Sequence, residues 1–154
     1  MRAARSLVPM TQNRSMPPGT IIPELVYDDV ATAAKWLCET FGFRERLRIG
    51  DHRSQLVFGG SSLIVVARGG GRASRPSRGG VTHGLMVRVE DVDRHFERAK
   101  ERGANVLSAP ETFPFGERQY TVEDIGGHRW TFTESVADVA PEEWGGRRAG
   151  AGNP

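Results

Sequence analysis

The chain has 154 residues, 38% of them apolar, one cysteine and a formal charge of +2, which allows a folded core and excludes an internal disulfide. No apolar run approaches the ~20 residues that cross a bilayer. The basic N-terminus has only "LVPM" at its apolar centre, shorter than the ~7–15 residues of a secretory signal, so a cytoplasmic protein is expected. Eight arginines (Arg2, Arg5, Arg14, Arg72, Arg75, Arg78, Arg147 and Arg148) fall in segments that read as tails or linker, and setting them aside turns +2 into −6. The remainder is acidic, which does not support a nucleic-acid surface.

In chain order, residues 1–18 read as a disordered tail. "TIIPELVYDDV" is a strand candidate that ends in acid. In "DVATAAKWLCETFGF" the residues Val30, Ala33, Ala34, Leu37 and Phe41 recur at helical spacing, and Gly42 is a natural stop. Cys38 lies inside this pattern and reads as a small buried hydrophobe. Three strand candidates follow at 43–49, 54–59 and 61–67, with "GDHR" and "GG" at the turns. "RERLR" at 44–48 alternates charge with apolar residues, as a strand with one solvated face does.

"RGGGRASRPSRGG" at 68–80 is a flexible linker. The same order of elements then returns. "THGLMVRVEDV" is a strand ending in acid, and "DVDRHFERAKERG" is a helix with Val92, Phe96 and Ala99 on one face. "ANVLS", "RQYTVED" and "HRWTFTE" close the second half. "DDV" at 28–30 matches "EDV" at 90–92, each suited to capping a helix N-terminus. The expected architecture is α+β: two βαβββ modules, 19–67 and 81–135, forming one curved mixed sheet with a concave cleft, followed by a C-terminal tail at 136–154.

"VYDDVATAAKWLCETFGF", "VRVEDVDRHFERAKERGANVL" and "PFGERQYTVEDIGGHRWTFTE" resemble the vicinal oxygen chelate superfamily, the group of glyoxalases, bleomycin-resistance proteins and extradiol dioxygenases. With "PEEWGG" the chain is similar to the subgroup loosely called PhnB-like. The resemblance implies a cleft between the sheets with helices on the outer side. Metal-using members take one divalent ion there, on His, Gln or Glu from the first and last strand of each module. The matching positions here are Ile22, Gly84, Ile64 and Thr131. Isoleucine and glycine side chains offer no lone pair, so no metal and no cofactor is expected. His83 stands one residue from the second-module position, on the wrong strand face unless a bulge corrects it.

Alternation from these positions maps a cleft wall. Ile22, Glu24, Val26, Ser62, Ile64 and Val66 face it from the first module, and Gly84, Met86, Arg88, Arg129, Thr131 and Thr133 from the second. Leu25, Tyr27, Leu85, Val87, Val89, Trp130 and Phe132 face the helices. Glu24 and Arg88 form a candidate pair. Either they neutralise one another across the sheet join, or Arg88 holds a ligand anion and Glu24 serves as a base. Phe115 is a candidate roof. Arg118, Tyr120, Asp124 and His128 read as structural, and His52 and His95 as solvated.

The resulting expectation is a metal-independent protein that sequesters a drug or metabolite, assembled as a homodimer and without membrane or nucleic-acid partners. The alternative is a glyoxalase-like lyase or isomerase that uses Glu24 or His83 for proton transfer.

Overall fold

Both halves of the chain run strand, helix and three strands in the computed structural model, which describes residues 11–69 and 83–149. The first module comprises β1 (Glu24–Tyr27), α1 (Val30–Phe41), β2 (Arg44–Ile49), β3 (Arg53–Phe58) and β4 (Ser61–Ala67). The second comprises β5 (Leu85–Arg88), α2 (Val92–Glu101), β6 (Asn105–Thr112), β7 (Glu117–Glu123) and β8 (Arg129–Ser135). A 3-10 turn follows at Pro141–Trp144. The tandem α+β repeat is therefore present, and most of the expected linker lies outside the described residues.

The helices begin at the two acidic repeats. Asp29 has an extended backbone, and its side chain accepts the Thr32 N–H at 2.8 Å. Asp91 does the same for Arg94 at 3.1 Å. Each satisfies an orphan donor of a first turn. α1 ends at Gly42, whose φ of 87° suits glycine and whose N–H returns to the Cys38 carbonyl.

The strands form two four-stranded sheets, ordered β1-β4-β3-β2 and β5-β8-β7-β6. β1 and β5 run parallel to β4 and β8, and the remaining pairs are antiparallel. No ladder joins the two sheets among the described residues, so β1 and β5 are edge strands. The tight turn at Gly59 and Gly60 sets Phe58 opposite Ser61 and Gln55 opposite Ile64. Alternation then sends Leu25, Tyr27, Leu56, Leu63 and Val65 to the helix side. Val26, Ile64 and Val66 go to the opposite face.

One core runs through both modules. Phe41, in the last turn of α1, meets Trp130 and Phe132 of β8 with ring centroids 5.3 and 4.8 Å apart, both edge to face. α2 reaches back to the same place. His95 Nε2 lies 2.8 Å from the Phe41 carbonyl, and Nδ1 lies 2.5 Å from the Tyr120 hydroxyl. A carbonyl only accepts, so Nε2 carries the proton and Nδ1 accepts from Tyr120. Arg98 Nε donates to the Glu39 carbonyl at 2.9 Å. These carbonyls are the unsatisfied end of α1, where cationic groups are favoured. The expectation that His95 is solvated is thus corrected, because its face of α2 packs on α1 and β7. Burial pushes the His95 imidazole below its ordinary value, with the Arg98 charge adding to the effect.

A second tie joins β1 to the turn between β7 and β8. Asp124 is buried. One carboxylate oxygen accepts from the Tyr27 hydroxyl at 2.5 Å and Trp130 Nε1 at 2.9 Å. The other accepts the backbone N–H of Gly126 at 2.8 Å and of His128 at 2.9 Å. His128 Nε2 donates to the Val26 carbonyl at 2.9 Å. Burial, followed by the charge and hydrogen bond of Asp124, pushes the Tyr27 phenol well above its usual range.

Gly126 lies so close to Tyr27 that a Cβ there would sit 2.7 Å from a ring carbon, whereas a Cβ at Gly60 would meet nothing within 4 Å. Gly126→Ala is therefore expected to destabilise by about 1–3 kcal/mol in urea melts, with Gly60→Ala close to wild type. Tyr27→Phe leaves one Asp124 acceptor short of a donor and is expected to lose roughly 1.5–3 kcal/mol in the same assay.

His95 supplies a pH prediction. The unfolded imidazole takes up its proton near pH 6.5 and the folded one only at lower pH, so the unfolded state binds more protons below that point. The His95 contribution to stability should be level above pH 7 and fall as pH drops towards 5, by at most about 1.4 kcal/mol per unit. His95→Gln should flatten this part of the melting-temperature profile. An unchanged slope would place the pH dependence elsewhere.

Candidate functional site

Three surfaces bear on chemistry: the two sheet faces turned away from the helices, and a cavity where the modules meet. The first face is apolar. Val26, Ile64 and Val66 cluster on it with Ile22 packed alongside, and Val57 and Gln55 share it through the β3–β4 register. All are buried except Ile22, which is half-buried. Arg53 and Glu24 form an ion pair at 2.6 Å. Their register partners on β4 are Val66 and Ile64, so the pair spans that strand. Of the two alternatives for Glu24 and Arg88, mutual neutralisation is the one not found: Glu24 pairs with Arg53 because β3 shares a sheet with β1, and β5 does not.

The second face is polar. Met86 and Arg88 of β5 stand opposite Thr131 and Thr133 of β8, which stand opposite Thr121 and Gln119 of β7. Gln119 Nε2 donates to Thr133 Oγ1 at 3.1 Å, and Thr133 donates to Glu117 at 2.8 Å. Glu117 is held below the usual carboxylate range, first by a hydrogen bond from Ser135, with Thr133 and the Arg88 charge adding to it. Met86 is 65% exposed, and Arg88 and Arg129 are exposed. Arg88 makes no ion pair or side-chain hydrogen bond with the described residues.

The cavity arises from imperfect duplication. At one junction the turn at 124–128 closes on β1 through Tyr27. At the related junction the β3–β4 turn faces β5, and Val89 stands where the repeat places Tyr27. No phenol and no Asp124 equivalent fill the space. A cavity of about 940 Å³ remains, lined by Phe43, Phe58, Leu63, Met86, Arg88 and Arg94 among others. Ser62 also lines it, and its hydroxyl is buried without a hydrogen-bond partner among the described residues.

The other residues singled out from the sequence fall as follows. His83 is exposed, just before β5, with its ring 6.1 Å from that of His128. Phe115 stacks on Phe113 and leans on Trp144, so it packs with the C-terminal turn. Arg118 pairs with Asp93 of α2 at 2.9 Å, and Tyr120 supports His95. Cys38 is half-buried, and burial pushes its thiol up. The sequence patterns leave Gln55, Gln119, Glu117 and Arg53 unmarked. Counting back from the Gly59–Gly60 turn would have placed Gln55 and Arg53 on the face of Ile64 and Val66.

The positions that match metal ligands in the resembled superfamily do not fit a divalent ion. Ile22, Ile64 and Gly84 offer no donor, and the Thr131 hydroxyl faces Thr121 at 3.4 Å. Among the described residues no three His, Cys, Asp or Glu side chains converge to hold a metal.

Residues 21–132 match the profile of the Glyoxalase/Bleomycin resistance protein/Dioxygenase superfamily. The chain belongs to that superfamily. Mb0911c of Mycobacterium bovis, an uncharacterised protein, is 31% identical over 131 residues, covering 79% of this chain and 86% of the relative. Rv0887c of Mycobacterium tuberculosis, also uncharacterised, is 31% identical, with 79% and 77% covered. Among solved structures, TioX from Micromonospora sp. ML1 is 35% identical with a TM-score of 0.63, covering 77% of this chain and 99% of TioX. A lactoylglutathione lyase from Agrobacterium tumefaciens shares the fold at 21% identity and a TM-score of 0.59, with 79% and 97% covered. No helix among the described residues is long and apolar enough to cross a membrane.

Proposed function

We propose that this chain binds a small organic molecule without a metal ion and holds it unchanged, as a sequestering protein for a drug or metabolite. One observation carries the reading: the exposed side chains of Met86 and Arg88 stand at the edge of a cavity of about 940 Å³ with an aromatic and aliphatic floor. Sites of roughly 300–1,000 Å³ with mostly apolar walls and a few polar anchors suit drug-sized ligands. Arg88 and Arg129 would hold an anionic or acceptor group, and Thr131 and Thr133 would orient it. Ile22, Val26, Ile64 and Val66 lie on the first sheet face, outside the cavity lining, and would supply an apolar wall there. A second copy would complete the cleft, since β1 and β5 are edge strands and Met86 stands exposed beside one of them.

A second reading is a glyoxalase-like lyase or isomerase with a non-metal site. The exposed imidazole of His83, just before β5, favours it as a group open to a bound carbonyl compound. Glu24 is the less available candidate, because the Arg53 guanidinium occupies its carboxylate at 2.6 Å.

A thermal-shift screen against metabolites, natural products and divalent metals tests both readings. A bound organic ligand at about 100 times its Kd should add roughly 2.7 kcal/mol of stability, and Arg88→Ala should remove most of the shift for an anionic hit. Chromatography of the recovered hit should return it unaltered. A converted product that depends on His83 would replace the binding reading with the catalytic one. Light scattering should give twice the chain mass.

A further inference from the structure

The Gln55 end of the first module's apolar face is covered by the chain itself. On the sheet face opposite α1, Val26 is 7% exposed, Ile64 3% and Gln55 2%. α1 cannot bury them, because it packs on the other side. The segment N-terminal to β1 lies on this face. Gln55 Nε2 donates to the Ser15 carbonyl at 2.8 Å, and Arg46 Nη2 donates to the Arg14 carbonyl at 2.6 Å. Arg46 Nη1 donates to Gln55 Oε1 at 2.6 Å, so the two side chains form one unit that reads two successive carbonyls. The irregular register between Glu45 and Leu47 falls at Arg46, and a bulge re-aims a side chain in this way.

The segment is shaped for the place it occupies. Met16 N–H returns to the Asn13 carbonyl at 3.1 Å, and Ser15 N–H to Asn13 Oδ1 at 3.0 Å. That turn directs the carbonyls of residues 14 and 15 at the sheet. Pro17 is buried. Gly19 then passes over the start of β4, where a Cβ would lie 3.8 Å from Ser61 Cα. A buried glutamine amide on an apolar face is costly unless its hydrogen bonds are made, and here the strap makes one of them.

We infer that residues 13–17 are an intramolecular occupant of the ligand-binding wall, and that Arg46 and Gln55 are its acceptor-recognising pair. The inference rests on the reading that this face is a wall of the binding site. A ligand that takes the wall must displace the strap and offer Arg46 and Gln55 acceptor oxygens in its place, as amides, esters and carboxylates do. An aliphatic molecule without such acceptors would leave a buried amide unpaired and is disfavoured.

Two readouts on the full chain test this. The first is native-state trypsin cleavage after Arg14, followed by mass spectrometry. The second is uptake of 8-anilinonaphthalene-1-sulfonate as an apolar probe. Gln55→Leu removes the amide, and Pro17→Asp releases the strap without altering the sheet, which guards against a folding defect in the first variant. Loss of a hydrogen bond should speed cleavage by up to about tenfold. Dye fluorescence should rise in both variants, while the unfolding midpoint of Pro17→Asp stays close to wild type. Equal cleavage in wild type and variants would overturn the strap. Faster cleavage without dye uptake would overturn its place on the wall. Neither readout needs a natural ligand, so a failed ligand screen would count against the proposed function and leave the strap standing.

Discussion

One buried carboxylate holds the two halves in register. Asp124 gathers a phenol from β1, an indole from β8 and two backbone amides of its own turn. A buried charge is tolerated only when its lone pairs are used, so the four donors must arrive together. Each comes from an element with its own constraints: Tyr27 from the end of β1, Trp130 from the helix side of β8, and the amides from a glycine turn. Satisfying Asp124 thus fixes the first module against the second. Phe41 and His95 add to the tie nearby, where α2 groups meet the last carbonyls of α1.

The same interface, repeated, does not close. Duplication places a β5–turn contact where the first junction has a β1–turn contact. Val89 replaces Tyr27, and the Gly59–Gly60 turn carries no carboxylate. The tight junction supplies rigidity and the loose one supplies volume. A hollow on a duplicated fold needs no special scaffold, only one copy of a contact that loses its polar partners.

The two sheet faces turned away from the helices differ in chemistry. One is aliphatic, with a single amide and an arginine aimed at carbonyls. The other carries threonines, Gln119 and Glu117 in a hydrogen-bonded row beside Arg88. A ligand spanning both would need an apolar body and several acceptors. Ile22, Gly84, Ile64 and Thr131 stand at the positions used for metal ligands in the resembled superfamily. Three of these side chains offer no lone pair and the fourth a single hydroxyl, a poor donor set for a divalent ion.

Most of the architecture was legible in the residues. The period of 3.6 in 30–41, the caps Asp29 and Asp91, the stop at Gly42 and the alternation of β4 and β8 are local signals, and each is imposed by backbone geometry within a few residues. They determined two βαβββ units and which side chains turn to the helices. Tertiary structure alone decided the partners. Glu24 found Arg53 rather than Arg88 because sheet membership, not sequence position, sets which charges meet. His95 left solvent because α2 docks on the end of α1, a contact between residues 54 apart in the chain. The tail at 13–17 found a seat because a bulge at Arg46 turned a guanidinium towards it. Periodicity reports which face a residue takes. Only the assembled fold reports what stands opposite that face, because that depends on chain segments whose separation in sequence carries no local signal.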